Sequence, residues 1–299
     1  MCSSDLGDAI PWSAWAGPLA RWGVFVVAQL AVLLATAALF RGQWAQNERL
    51  PFPIAQVHLA LIEPPSPGKA LNALFRSRLF WMAAVGVFLL HSLTVLHEYF
   101  PRIVPEISLN YDLSGVMSEP PLSFFSGFIK RNSVFFIFVG IAYFIQSRIA
   151  FSLWSIFLIK ETFQVQRRMF QDEVSGGSWN DQHLASCLAL VCGFIWVGRR
   201  YYGRLAMDLA LWRAGRLKWA LLVALGGTTT MVGWLVWAGV GLPLALLIVG
   251  IILLAHVVTA RVVAETGLPF YRAMPTSAQV YTFWDAARFS PKEMYFAGV

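Results

Sequence analysis

Residues 133–163 read SVFFIFVGIAYFIQSRIAFSLWSIFLIKETF. The stretch is long enough to cross a hydrocarbon core of about 30 Å. Gln146, Ser147 and Arg148 interrupt it near its middle, where a charge is costly unless it faces protein or water. We therefore expect a membrane segment built around a polar break, the kind of element in which transporters bind substrates and coupling ions.

The overall composition is that of a membrane protein. Of the 299 residues, 58% are hydrophobic and 13% are charged, and the mean hydropathy is +0.60. A soluble domain has about 25% charged residues. Together with several apolar runs of about 20 residues, this predicts an all-α, polytopic transmembrane protein with about six spans, one of them broken or re-entrant.

The predicted spans, in chain order, are residues 22–40, 79–99, the broken 133–163, 183–197, 219–240 and 244–262. The net charge of +7 would suggest nucleic acid in a soluble protein, but here the basic residues lie in short loops between spans. Such loops face the cytoplasm. We therefore expect the lipid bilayer as a partner and no nucleic acid.

The basic loops also bear on the topology. Residues 41–78 and 199–218 are the most basic loops, and both are cytoplasmic only if residues 133–163 enter and leave the membrane on the same side. Each arm of such a hairpin would have only about 14 residues, which is short for a full crossing. A single crossing therefore stays open as the alternative.

We divide the chain into residues 1–21 and a partial transmembrane transporter domain, residues 22–299. Trp12, Trp15 and Trp22 would share one helix face, as in a short interfacial helix. Gly17 and Pro18 argue against one continuous helix as far as Trp22. Interfacial aromatic residues that lead directly into the first span are the alternative reading.

Both ends of the sequence suggest a fragment of a longer protein. Residues 2–6, CSSDL, match the translation of a common sequencing-adapter end, and the chain stops at Val299 without a terminating element. Alternatively, Met1 is a genuine start and the match is chance. We expect an incomplete domain at both ends.

Three stretches together resemble a known family. They are residues 41–62 (RGQWAQNERLPFPIAQVHLALI), residues 140–150 (GIAYFIQSRIA) and residues 260–267 (ARVVAETG), the last followed by PTS at 275–277. In this order they resemble the oligopeptide transporter superfamily, and more specifically an uncharacterised bacterial branch of peptide-transporter-like proteins. The resemblance implies two internally repeated halves, of which this chain would hold part of one.

The chain departs from the family pattern at two places. Gln146 and Ser147 stand where the family has Gly-Pro, and residues 268–271 (LPFY) stand where it continues Asn-Pro-Val-Ser-Gly-Met. The second departure falls where contact with substrate is expected, so the substrate class stays open.

Arg148 is the main candidate for substrate binding. A guanidinium at membrane depth can bind a carboxylate through two hydrogen bonds, which suits a small peptide or an organic anion. The structural alternative is an arginine that satisfies carbonyls of a broken helix or reaches to the membrane surface. We expect Tyr143 and Gln146 to line the same cavity.

Arg261 and Glu265 are four residues apart at the end of the last predicted span, so their side chains can meet. In a transporter, Glu265 would release and rebind a proton as Arg261 changes partner. The alternative is a static interfacial pair. We assign proton coupling to these two residues.

No motif for an enzyme, a metal or a cofactor is visible: there is no HExxH, GxSxG, P-loop or dinucleotide fingerprint. We therefore expect a multi-pass protein of the inner membrane that carries small peptides or related anions with protons, without a cofactor or a metal. The alternatives are an intramembrane transferase that uses His91 or His256, and a scaffold that transports nothing.

Overall fold

The structure, a computed structural model, describes residues 12–170, 176–211, 213, 215–268 and 290–298. Most of them are helical, and the two strands are short. In chain order the elements are α1 (Trp12–Arg41) with a π-helical extension (Gly42–Asn47), α2 (Pro53–Ile62), α3 (Arg78–Tyr99), β1 (Asn110–Asp112), a 3-10 turn (Leu122–Phe124), α4 (Gly127–Lys130), β2 (Arg131–Ser133), α5 (Phe136–Ala142), α6 (Ser147–Phe170), α7 (Gly176–Val197), α8 (Arg199–Ala210), α9 (Arg216–Trp237), α10 (Leu242–Thr266) and α11 (Pro291–Gly298).

These elements form two compact units. The first unit contains the described residues within Met1–Arg49, Trp179–Ala260 and Arg272–Val299, and the second contains those within Leu50–Ser178 and Arg261–Tyr271. α10 therefore begins in the first unit, and its last turns belong to the second.

Helix α1 is continuous, and the break expected at Gly17 and Pro18 is absent. Proline removes one hydrogen bond from a helix interior, but membrane helices tolerate this loss. Trp12 and Trp15 are exposed at the start of the helix, as expected of interfacial aromatic residues that lead directly into a span. The boundary drawn between residues 21 and 22 falls inside α1, and residues 2–6 lie outside the described part of the chain.

The core of the first unit lies where α1, α9 and α10 pack together. Its buried residues are Phe25, Ala28, Val32, Met231, Leu235, Val240, Leu244, Ala245 and Val249. The contact is close at Gly227 on α9, where a Cβ atom would lie 2.5 Å from the Val32 Cγ2 and 3.0 Å from the Ala28 carbonyl oxygen. A residue without a side chain is what lets two membrane helices approach to this distance.

The basic segment 199–218 is not simply a loop, because it contains helix α8. α8 meets α7 at an angle of 76°, and together they could form one broken span or a re-entrant loop. The helix is strongly amphipathic, and Arg199, Arg200 and Arg204 lie on it. The Tyr201 hydroxyl donates a hydrogen bond to the Leu39 carbonyl oxygen at 3.3 Å, which ties α8 to the end of α1. The expectation of a loop was wrong. It was based on the number of arginines, whereas the spacing of polar and apolar residues in this segment is that of an amphipathic helix.

The second unit is held together by caps and a small hairpin as well as by helices. The Asn72 side-chain amide donates to the Ala60 and Leu61 carbonyl oxygens at 3.2 and 3.0 Å, which satisfies the last turn of α2. β1 and β2 pair antiparallel, with Tyr111 opposite Asn132. α3 buries none of its residues, as expected of a helix whose solvent is lipid.

The all-α, membrane-type fold predicted from composition is confirmed. In the described residues four helices are long and apolar enough to span a membrane, or five if α7 and α8 count as one broken span. About six spans were expected, and residues 133–163 account for the difference. They divide into the seven residues of α5 and the longer α6, and α6 is not among the helices that are apolar enough to span a membrane.

Gly227→Ala should lower the stability of the protein by about 1–3 kcal/mol, because the new methyl group collides with the stiff Val32 side chain and a backbone oxygen. Gly226→Ala is the matched control, since a Cβ there meets nothing within 4 Å. Thermal unfolding in detergent micelles measures both. Equal melting temperatures for the two variants would contradict the close packing of α1 on α9.

Candidate functional site

The polar break predicted in residues 133–163 is present. α5 ends at Ala142 and α6 begins at Ser147, with Tyr143–Gln146 between them. The Gln146 carbonyl oxygen accepts hydrogen bonds from the amides of Ile149 and Ala150 at 2.9 and 3.0 Å, so Gln146 starts α6. Arg148 lies in the first turn of that helix.

The three predicted substrate-binding residues thus lie at one break, and all three are exposed. Tyr143 is 87% exposed, and Gln146 and Arg148 are also in the exposed class. The described residues do not close a cavity around them, so the expected cavity lining stays a prediction. A groove lined by Phe163, Gln166, Arg167 and Phe170 lies at the opposite end of α6 from the break.

Three helix ends meet at a second place, which we call the helix-end junction: Phe52, Pro53, Ile141, Ala264 and Gly267. The Phe52 amide donates to the Ala264 carbonyl oxygen at 2.9 Å, one of the carbonyls left unpaired where α10 ends. A Cβ on Gly267 would lie 2.7 Å from the Pro53 Cβ and 3.3 Å from the Ile141 Cγ2. The junction therefore brings together one residue or more from each of the three stretches singled out in the sequence.

The local conformations explain these residue types. Pro53 is the first residue of α2, a position where its missing amide costs nothing. Gly267 has a φ of +71°, which ends α10 in the left-handed region that favours glycine. The Thr266 hydroxyl donates to the Val262 carbonyl oxygen at 2.8 Å and accepts from the Leu268 amide at 3.2 Å. The segment beyond Leu268, including Pro275, lies outside the described residues.

The predicted contact between Arg261 and Glu265 forms. The Arg261 Nε lies 3.3 Å from the Glu265 Oε2, and the two side chains are 12% and 40% exposed. The guanidinium is therefore nearly enclosed while the carboxylate is still accessible. Glu265 directly follows Ala264, so the ion pair adjoins the helix-end junction.

Sequence reasoning missed Glu161, which is 1% exposed. Its Oε2 accepts a hydrogen bond from the Ser126 amide at 3.2 Å. The available signal was an acidic residue at the end of the apolar run 149–159. Lys160 beside it made the position look like an ordinary charged helix end.

The two candidate histidines differ in burial, since His256 on α10 is partly buried and His91 on α3 is exposed. The Gln29 side-chain nitrogen lies 3.2 Å from the His256 Nε2, which joins α1 to α10. The His91 ring lies edge-to-face with Phe136, with centroids 5.8 Å apart. Neither histidine is in contact with a carboxylate in the described part of the protein, as an acid–base pair would require.

Comparison with known families gives one match. DUF6785, a family of unknown function, matches residues 3–299. The chain belongs to the DUF6785 family. No curated protein and no solved structure matches this DUF6785 member. The resemblance to the oligopeptide transporter superfamily is not addressed by this match and stays a prediction.

In this DUF6785 protein, Gly267→Ala should lower stability by about 1–3 kcal/mol more than Gly68→Ala. Both glycines have positive φ, +71° and +78°, so both variants carry the same backbone strain. Only Gly267 faces Pro53 and Ile141, whereas a Cβ on Gly68 meets nothing within 4 Å. Tryptophan-fluorescence melting curves compare the two. Equal shifts would mean that the helix-end junction tolerates a methyl group and is not closely packed.

Proposed function

We propose that this protein is a secondary transporter of the inner membrane that moves small peptides or related anionic solutes together with protons. Arg148 binds a substrate carboxylate, and Tyr143 and Gln146 line the same path. Glu265 exchanges a proton while its partner Arg261 is released and recaptured. The resemblance of three stretches to the oligopeptide transporter superfamily supports this assignment.

The observation that carries the proposal is the position of Arg148 in the first turn of α6, directly after a break in an apolar stretch. A cation at a helix N-terminus opposes the helix dipole, so Arg148 does not stabilise the helix on which it lies. The first-turn amides and the guanidinium instead present positive charge in one place. That combination attracts an anion.

The exposure of Arg148 argues against one structural alternative, an arginine that satisfies the carbonyls of a broken helix. An arginine that satisfies broken-helix carbonyls would be enclosed by them, but Arg148 is exposed. In the described chain the one hydrogen bond between Arg148 and another side chain uses its backbone carbonyl, which accepts from the Ser152 hydroxyl at 2.9 Å. Its guanidinium is therefore available to a ligand.

The ion pair near the helix-end junction suits coupling. Protonation of Glu265 removes a negative charge 3.3 Å from the nearly enclosed Arg261 guanidinium, which weakens the contact between the two side chains. The pair adjoins Ala264, whose carbonyl oxygen holds the start of α2. A change at the pair can thus be passed to the contact between two helix ends.

The rival functions make different predictions. An intramembrane transferase would depend on His91 or His256, and turnover of an acyl or glycosyl donor lost in His256→Ala would favour it. A non-transporting scaffold would bind no solute. His256 contacts Gln29 and the exposed His91 contacts Phe136, and neither contacts a carboxylate in the described part of the protein, so no observation favours the transferase.

Arg148→Ala should abolish uptake of labelled dipeptides into proteoliposomes under an imposed pH gradient, because the carboxylate loses its anchor. Arg148→Lys should restore part of the uptake, since it keeps the charge but not the two-pronged hydrogen-bond geometry. Arg102→Ala, also at an exposed arginine, is the control. Normal uptake by folded Arg148→Ala would remove the anchor role.

Glu265→Gln should leave downhill exchange of labelled dipeptides intact but prevent their accumulation against a gradient, since the amide cannot carry a proton. Glu63→Gln, at an exposed glutamate, should behave like the wild type. Accumulation by Glu265→Gln at the wild-type level would show that the Arg261–Glu265 pair is static.

A further inference from the structure

Glu161 lies on α6 in surroundings unlike those of the other charged residues described. The residue is 1% exposed, whereas Glu265 keeps a 40% exposed side chain and an arginine partner. Within the described chain no Lys, Arg or His nitrogen lies within 4.0 Å of the Glu161 oxygens. Its one hydrogen bond there comes from the Ser126 amide.

The cations around Glu161 are engaged elsewhere. Arg168, seven residues further along α6, donates to the Phe124 carbonyl oxygen at 2.7 Å. Lys130 on α4 donates to the Ser123 carbonyl oxygen, also at 2.7 Å. Arg167 lies over the Phe163 ring, 6.0 Å from its centroid, and Lys160 is exposed. The turn against which Glu161 packs is thus held by positive side chains that do not neutralise the carboxyl.

A second polar group is buried beside it. The Ser126 hydroxyl oxygen is inaccessible and has no hydrogen-bond partner in the described part of the chain. It belongs to the same residue whose amide reaches Glu161. A buried hydroxyl can donate to a carboxylate or accept from a carboxylic acid, so this residue can accompany either charge state.

A buried carboxylate without a basic partner costs free energy, and a proton or a bound cation lowers that cost by neutralising the charge. Ca²⁺ takes about six to eight oxygen ligands and Mg²⁺ needs a near-ideal octahedron, whereas the side chains described here offer one carboxyl and one hydroxyl, and no group of three or more His, Cys, Asp or Glu side chains in the described residues could hold a metal ion. A proton needs only the carboxyl. The geometry points to Glu161 as a proton-binding site of this protein, separate from the Arg261–Glu265 pair.

The site takes up and releases a proton between a carboxylate oxygen and water, with no other bond made or broken. When Glu161 is charged, the Ser126 amide stabilises it; when Glu161 is protonated, that hydrogen bond weakens. The use of this proton to drive transport rests on the proposed function, but the binding of the proton does not.

Infrared difference spectra of the purified protein in lipid nanodiscs, recorded over a pH titration, test the binding. The wild type should show a C=O stretch of a protonated carboxylic acid that disappears as the pH rises and is missing from the spectrum of Glu161→Gln, in which the other carboxyl groups, Glu265 among them, keep their own bands. Glutamine keeps an oxygen that can accept from the Ser126 amide, so the local contact survives. Glu119→Gln, at an exposed glutamate in the preceding segment, should retain the band.

Two variants at residue 126 test the role of the amide. Ser126 has a φ of −66° and Phe125 a ψ of 150°, a backbone that accepts proline at 126, whose φ is about −65°. Ser126→Pro removes the amide donor, so the carboxylic-acid band should persist to higher pH than in Ser126→Ala, which removes only the hydroxyl. The site is overturned if the wild type and Glu161→Gln show the same carboxylic-acid bands at every pH.

Measurements of dipeptide uptake distinguish a failure of this inference from a failure of the proposed function. If the wild type accumulates dipeptides, Glu161→Gln should fall to the level of protein-free liposomes under a pH gradient while it still binds them. If the wild type transports nothing, the infrared result still decides whether Glu161 binds a proton. If Glu161→Gln gave the same spectra and the same uptake as the wild type, Glu161 would only hold the segment at Ser126 in place, and the proposal would be refuted.

Discussion

The fold of the second unit depends on the rule that a backbone polar group away from water must find its partner inside the protein. α10 ends and α2 begins in an apolar chain, and each end leaves groups that its own helix cannot satisfy. The hydrogen bond from the Phe52 amide to the Ala264 carbonyl oxygen satisfies one group at the start of α2 and one group at the end of α10. Pro53, which has no amide, and Gly267, which has no side chain, make that approach possible.

The polar side chains of the apolar segments fall into groups with different surroundings. Arg261 and Glu265 neutralise each other, and His256 is joined to Gln29 across two helices. Arg148 is exposed at a helix start that its charge opposes, and Glu161 is buried with one amide donor. Contacts within the fold stabilise the paired groups. The placement of Arg148 and of Glu161 costs free energy that their contacts in the described chain do not offset. Function is therefore to be sought at those two residues.

Predictions from the sequence succeeded where short-range rules decide. The Gln146–Arg148 polar run marked the end of an apolar helix, and the spacing of Arg261 and Glu265 placed their side chains within reach. Predictions failed where the sequence of one segment fitted two different structures. The arginines of residues 199–204 resembled a positive loop, although they lie on the amphipathic helix α8. Residues 133–163 were expected to form a broken or re-entrant span, but α5 has only seven residues and only α6 is long.

The sequence by itself determined that the chain is an all-α membrane protein, because apolar content and run length need no knowledge of neighbours. It also determined where the helix of residues 133–163 breaks. The tertiary structure alone decided that the LPFP segment, the end of α5 and the end of α10 meet, and that Glu161 is buried while Arg148 is not. Burial and convergence depend on residues far apart in the chain, since a side chain's surroundings are set by the elements packed against it and not by its own periodicity.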